Sequence, residues 1–167
     1  MVMSEQPETI IRHRGFFNYS DLQRSIRKWF ADEDFNVVEY PSLKQKFATP
    51  TGVEQEFKVK AHKNITGYIR FHIELLVRVY DLRDIEIIRE GHKVQLQDGK
   101  IFAIITPTLE FDWQKRYGGS KFLQALDDFY RNYIIKYKIK DYWEDMILIK
   151  STMLAQMIKE TLGQEVM

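Results

Sequence analysis

The sequence contains no cysteine and no hydrophobic run long enough to cross a bilayer. Without cysteine the chain can form no disulfide bond, zinc–thiolate site, iron–sulfur cluster or cysteine nucleophile. The longest uncharged apolar stretch, residues 101–109, is far shorter than the roughly 20 residues that a spanning helix needs. The first residues show no basic segment followed by an apolar run, so they do not resemble a signal peptide. We therefore expect a soluble, cytoplasmic protein.

An excess of charge of one sign is also lacking. The 25 Lys+Arg and 24 Asp+Glu give a net charge of +1, which removes any whole-molecule attraction to nucleic acid or to anionic membranes. The 167 residues are enough for one domain with a sizeable core. We expect a disordered N-terminus over residues 1–7 and a single α+β domain over residues 8–167.

Linear motifs of catalysis are absent as well. The sequence has no nucleophile elbow, no glycine-rich dinucleotide loop and no zincin helix, and residues 118–121 lack the earlier glycine of a phosphate-binding loop. We therefore assign no catalytic residue, no metal ligand and no cofactor, and we favour a protein without enzymatic activity. What is plentiful is aromatic residues, at 14% of the chain. Such residues fill cores, line pockets and anchor interfaces, so this excess alone favours none of the three.

The first third of the chain predicts strands around one short helix. Residues 9–17 form a strand, and a capping box of Ser20 and Gln23 begins an amphipathic helix that ends at residues 32–34. A second strand covers residues 35–40. The chain then folds back near residue 50, which brings the lysine of position 44 opposite the glutamate of position 56 and predicts a hairpin.

The middle of the chain predicts a β-meander. Alternating apolar residues from 69 to 79 form one face of a strand, and charge pairing favours a register in which Lys58 faces Glu74 and His62 faces Arg70. This register separates His62 from His72, so we predict no metal site there. The dipeptides at 90–91 and 98–99 both suit two-residue turns and predict two tight hairpins.

The last third predicts a long helical region. Ser120 is suited to cap a helix, whose apolar and aromatic residues recur at helical spacing. We expect a bend near residues 138–141, where the apolar face changes, and a C-terminal stop at Gly163.

The predicted order is a strand and a helix, then a curved antiparallel β-meander of about six strands, then a long C-terminal helix. This order resembles the helix-grip fold of the START-like superfamily, which includes polyketide cyclases, lipid-transfer proteins and hormone-binding proteins. The resemblance covers residues 8–162 and rests on the order of elements, with one short helix where the family usually has two. It implies a curved sheet wrapped around the last helix, often with an apolar cavity between them.

Three functions follow from these patterns. The leading hypothesis is a binding module that holds a small apolar or aromatic ligand between sheet and C-terminal helix. Its predicted ligand-binding residues are Phe71, Ile73, Leu75, Ile105, Leu109, Phe129, Tyr133 and Tyr137. The alternative is a structural or protein–protein interaction subunit that uses the aromatic and methionine-bearing C-terminal helix, including Met146, Met153 and Met157, to bind a partner or a second copy.

The third hypothesis is single-stranded nucleic-acid binding through basic residues interleaved with aromatics. The residues concerned are Lys115, Arg116, Tyr117, Lys121, Arg131, Lys136, Lys138 and Lys140. No recognisable RNA-binding motif accompanies them. The position of the aromatic residues separates the three functions: an enclosed void favours a ligand, an exposed apolar patch favours a partner, and a basic groove favours nucleic acid.

Overall fold

The computed structural model describes residues 2–39, 44–49, 52–116, 118–135 and 141–163. Its elements, in chain order, are β1 (Val2–Glu5), β2 (Thr9–Phe17), α1 (Tyr19–Asp32), β3 (Asn36–Glu39), β4 (Lys44–Thr49), β5 (Gly52–Asn64), β6 (Ile69–Arg89), β7 (His92–Phe111), α2 (Lys121–Phe129), a π-helix (Tyr130–Ile135) and α3 (Tyr142–Thr161). The predicted α+β class and the predicted order of elements are therefore confirmed.

Within the described residues, seven strands form one curved antiparallel sheet. β7 lies between β6 on one side and both β1 and β2 on the other, β6 pairs with β5, and β5 pairs with β3 and β4. This arrangement is helix-grip-like. The part of β6 after Leu82 and the part of β7 before Gln97 pair, among the described strands, only with each other. These two parts therefore extend from the sheet as a hairpin.

The core lies between one face of the sheet and the helices α1 and α3. Alternate β6 residues from Ile69 to Val79 are buried, which confirms the predicted apolar face. Ile147 and Leu154 of α3 and Phe30 of α1 have no exposed surface and belong to the same apolar cluster. The C-terminal helix thus covers the sheet, as an amphipathic helix must to bury its apolar residues.

The N-terminal residues differ from the sequence-based expectation. We expected residues 1–7 to be disordered, but β1 pairs with residues 108–111 of β7. The reason is that β2 pairs with β7 only as far as Ile105, which leaves the rest of that strand edge open to a short added strand. Pro107 of β7 lies opposite the connection between β1 and β2, where its missing N–H interrupts no ladder bond. Its carbonyl accepts the N–H of Gln6 at 3.0 Å.

The start of α1 is also corrected. The helix begins at Tyr19, and Asn18 caps it by accepting the N–H of Asp21 at 3.0 Å. The predicted capping box of Ser20 and Gln23 is therefore wrong, because an asparagine two residues earlier caps a helix equally well. The predicted cap of α2 is confirmed, since the Ser120 hydroxyl accepts the N–H of Leu123 at 3.1 Å.

The predicted pairing of β4 with β5 is right at one end only. Lys44 lies opposite Glu56, as expected, but a bulge after position 45 moves the rest of β4 by one residue. The predicted pairing of β5 with β6 is wrong by two residues: the structure sets Lys60 opposite Glu74 and Glu56 opposite Arg78. The predicted register and the observed register each contain two favourable charge pairs, so charge pairing alone does not distinguish the two registers.

Of the two predicted hairpins, one is confirmed. Residues 90–91 form the turn between β6 and β7, and Ile87 pairs with Val94 as expected. The predicted turn at residues 98–99 is wrong, because β7 runs unbroken through Gly99. At the C-terminus, Gly163 has a positive φ of 77° just after the helix, in keeping with the predicted stop. The predicted bend near residues 138–141 lies outside the described residues except for Asp141.

Candidate interaction surface

The side of α2 that carries Leu123 and Asp127 faces the body of the protein. The Asp127 side chain is buried, and it accepts a hydrogen bond from the Tyr68 hydroxyl at the turn between β5 and β6. Arg131 forms ion pairs with Asp127, at 3.5 Å, and with Asp128. Burial raises the pKa of Tyr68, and the hydrogen bond to Asp127 raises it further, so the phenol keeps the proton that it donates.

Aromatic packing supports the same attachment. The rings of Tyr68 and Tyr130 meet edge to face with centroids 5.6 Å apart, and Tyr68 also lies 6.1 Å from Phe111. Edge-to-face pairs at these distances stabilise a contact beyond the area that they bury. The helix and the π-helix that follows it are therefore held to the sheet by the hydrogen bond between Tyr68 and Asp127 and by the aromatic contact between Tyr68 and Tyr130.

The apolar side of α2 consequently faces solvent. Four side chains at spacings of four, three and four residues form a continuous row on this side, which we call the aromatic stripe. Its members are Phe122, Leu126, Phe129 and Tyr133, which are 75%, 42%, 53% and 70% exposed. Phe129 and Tyr133 contact each other with ring centroids 5.2 Å apart. At these exposed fractions, three rings with about 200 Å² of surface each expose roughly 400 Å² in total.

A π-helix forms the second half of this segment, Tyr130–Ile135. π-helical turns are rare, and they are frequent at functional sites because they change the direction of side chains within a helix. Tyr133, the last residue of the aromatic stripe, lies on this π-helix. The unusual helix geometry and the exposed apolar row therefore occur in the same segment of the chain.

A second exposed apolar surface lies on α3. The side of the helix turned away from the sheet carries Tyr142, Ile149 and Met153, which are 57%, 52% and 40% exposed. A shallow, open depression of about 440 Å³ lies along it, lined by residues of α3 alone, namely Asp145, Leu148, Ile149, Thr152, Met153 and Gln156. We call this feature the α3 groove. Met146 and Met157 are partly buried against the core, so only Met153 of the three predicted methionines lies in the groove.

The predicted ligand-binding residues do not come together around a void. Five of them are core residues with at most 3% of their surface exposed, namely Phe71, Ile73, Leu75, Ile105 and Leu109. A cavity of ligand size would leave free surface on these side chains, whereas Trp143 packs on Phe71 with centroids 6.0 Å apart. Phe129 and Tyr133 lie in the aromatic stripe, on the outside of the molecule, and Tyr137 lies outside the described residues.

The outer face of the sheet carries a histidine pair that the sequence did not predict. His62 lies directly opposite His72, because of the shifted β5–β6 register, with ring centroids 6.0 Å apart. His72 Nε2 is 2.5 Å from a carboxylate oxygen of the buried Glu110. Burial lowers the pKa of His62, and the charges of Arg70 and His72 lower it further. Among the described side chains, no group of three or more His, Asp or Glu residues is arranged to bind a metal ion.

The basic residues that suggested nucleic-acid binding are distributed unevenly. Lys115, Arg116 and Lys121 are exposed near the start of α2. Arg131 is engaged with two aspartates, which removes it from an open basic surface. Tyr117, together with the lysines at 136, 138 and 140, lies outside the described residues. Nucleic-acid binding stays a prediction.

Comparison with known proteins adds no family to this description. Neither models of protein families nor curated protein sequences match the chain. In the part of the chain that the structure describes, no helix combines the length and the apolar character needed to cross a membrane.

Proposed function

We propose that this protein is an interaction subunit that associates with a second copy of itself through the aromatic stripe. The observation that carries the proposal is the orientation of α2, whose buried Asp127 faces the sheet while Phe122 and Phe129 face solvent. An amphipathic helix normally turns its apolar side inward. Among the described residues nothing covers this apolar row, which supports its burial against a partner.

The size of the exposed patch supports this interpretation. Single exposed apolar side chains are ordinary on protein surfaces, but a contiguous row is not. Burying about 400 Å² of ring surface at about 25 cal/mol per Å² supplies about 10 kcal/mol of gross hydrophobic free energy. Ordering costs and lost rotational freedom offset much of this on association. Since those costs are about 4–15 kcal/mol, the stripe supplies part of the free energy of an association rather than all of it.

Ligand binding between sheet and α3 stays a prediction with less support. The five core residues assigned to it, from Phe71 to Leu109, have almost no free surface, so a ligand there would need the core to open. The resemblance to START-like proteins supports the fold, and a fold does not by itself fix a function. Membership of that superfamily therefore remains a proposal, and it does not decide between ligand and partner.

Sedimentation velocity over a range of protein concentrations tests the proposed association. The wild-type chain is expected to sediment faster as concentration rises. The double variant Phe122→Ser, Phe129→Ser is expected to weaken association at least about 30-fold, because truncating a central interface anchor costs about 2 kcal/mol or more. Both positions are exposed, so the monomer is expected to stay folded.

The matched control is Ile88→Ser, which removes an apolar side chain that is 75% exposed, as Phe122 is, but lies on the β6–β7 hairpin. It is expected to associate like the wild type. A wild-type chain that remains monomeric at every concentration, or a double variant that associates as the wild type does, would contradict the proposal.

A further inference from the structure

We infer that the aromatic stripe of each copy binds in the α3 groove of the other copy, which gives a reciprocal twofold dimer. This inference rests on the proposed function and names the surface that receives the stripe. The described part of the chain leaves two apolar helix surfaces exposed, one on α2 and one on α3. Burial of either surface against a partner would be favourable.

The two surfaces carry opposite charge at their N-terminal ends. Lys121 adjoins the first ring of the aromatic stripe, and Lys115 and Arg116 precede it. The α3 groove includes Asp145, and Glu144 lies beside it in the first turn of α3. Complementary charge at these two ends favours contact between the unlike surfaces.

The side chains of the two surfaces are also complementary in kind. The stripe presents three rigid rings, and the groove presents Ile149 together with the flexible thioether of Met153. Methionine adapts its shape to a ring, and sulfur–aromatic contacts are favourable. Aromatic side chains that pack on apolar partners are common at the centre of an interface.

Area and symmetry favour reciprocal exchange over a single contact. One stripe offers roughly 400 Å², which is about half of the 800 Å² per partner found in a stable interface. A twofold dimer makes the stripe-to-groove contact twice, so each copy contributes both a stripe and a groove. A single stripe-to-groove contact repeated without closure would instead give open chains of molecules.

Disulfide cross-linking tests the inference, because the chain has no cysteine of its own and each introduced cysteine is therefore unique. Phe129→Cys places one in the stripe and Met153→Cys places one in the groove. Both side chains are at least 40% exposed, so both variants are expected to fold. When the two variants are mixed and oxidised, we expect a mixed disulfide dimer in at least several-fold excess over the dimer that either variant forms alone.

Ile88→Cys, mixed with each of these variants, measures chance collisions between exposed cysteines and is expected to give only background cross-linking. A dimer formed chiefly by Phe129→Cys with itself would overturn the inference while leaving the proposed self-association intact. Cross-linking at background level would also overturn it. In that case sedimentation of the wild-type chain shows whether self-association itself has failed.

Discussion

Leu75→Ala is expected to lower the free energy of unfolding by about 2–5 kcal/mol, the cost of removing a large side chain from a filled core. Leu75 has no exposed surface and lies in β6 between Val59 of β5 and Ile105 of β7. If it lined a ligand cavity instead, the cost would be far smaller, because a void would already lie beside it. Chemical denaturation at concentrations where the chain is monomeric measures the difference.

The control for Leu75→Ala is Phe129→Ala, at another position that the sequence assigned to the same pocket. Phe129 is 53% exposed in the aromatic stripe, so its truncation is expected to change the stability of the monomer by about 0.5 kcal/mol or less. Equal costs at the two positions would contradict the structural separation between a filled core and an outer stripe.

Gly99→Ala is expected to destabilise the protein by about 1–3 kcal/mol, in the range of other overpacking substitutions. A Cβ atom at Gly99 would lie 2.9 Å from the backbone carbonyl oxygen of Tyr80, closer than real Cβ atoms approach. Because the obstacle is backbone, the strands β6 and β7 would have to separate locally, near the bulge that follows Tyr80.

Gly67→Ala is the control for this effect. Nothing lies closer than 4.0 Å to a Cβ atom at Gly67, so the substitution is expected to be nearly neutral. Thermal unfolding of the two variants beside the wild type measures both effects. A loss of stability at Gly67 equal to that at Gly99 would mean that backbone freedom, rather than the close approach of Tyr80, is what the protein requires of its glycines.

Elements with a strong periodicity were predictable from the sequence. The alternation in β6 identified the buried face of the sheet, and the 3.6-residue period of the C-terminal region identified its helices, since side-chain direction repeats with the geometry of each element. Residues 98–99 show the limit of this approach. The dipeptide Asp–Gly is a turn signal, but here the glycine serves a close approach between two strands, which only tertiary structure defines.

Strand register was harder to predict for an energetic reason. Pairs such as Lys60–Glu74 contribute only tenths of a kcal/mol, so several registers of β5 against β6 satisfy the charges equally well. Bulges after Gln45 and Tyr80 then change the pairing by amounts that no local pattern indicates. The opposition of His62 and His72 follows from that register and was missed with it.

The candidate surface could be predicted in composition but not in orientation. The spacing of Phe122, Leu126, Phe129 and Tyr133 shows that the helix has an apolar side. Which side faces the protein depends on the hydrogen bond between Asp127 and Tyr68, which are 59 residues apart in the sequence. A sequence-based argument assumes that the apolar side faces inward, and for this helix the assumption fails.

Amide hydrogen exchange of residues 121–135, measured at low and at high protein concentration, tests the central claim most directly. If the aromatic stripe is the surface through which copies associate, exchange in this segment slows as concentration rises, while the β6–β7 hairpin near Ile88 exchanges at an unchanged rate. Exchange in residues 121–135 that does not depend on concentration, in a sample whose mass shows association, would place the interface elsewhere and contradict the account.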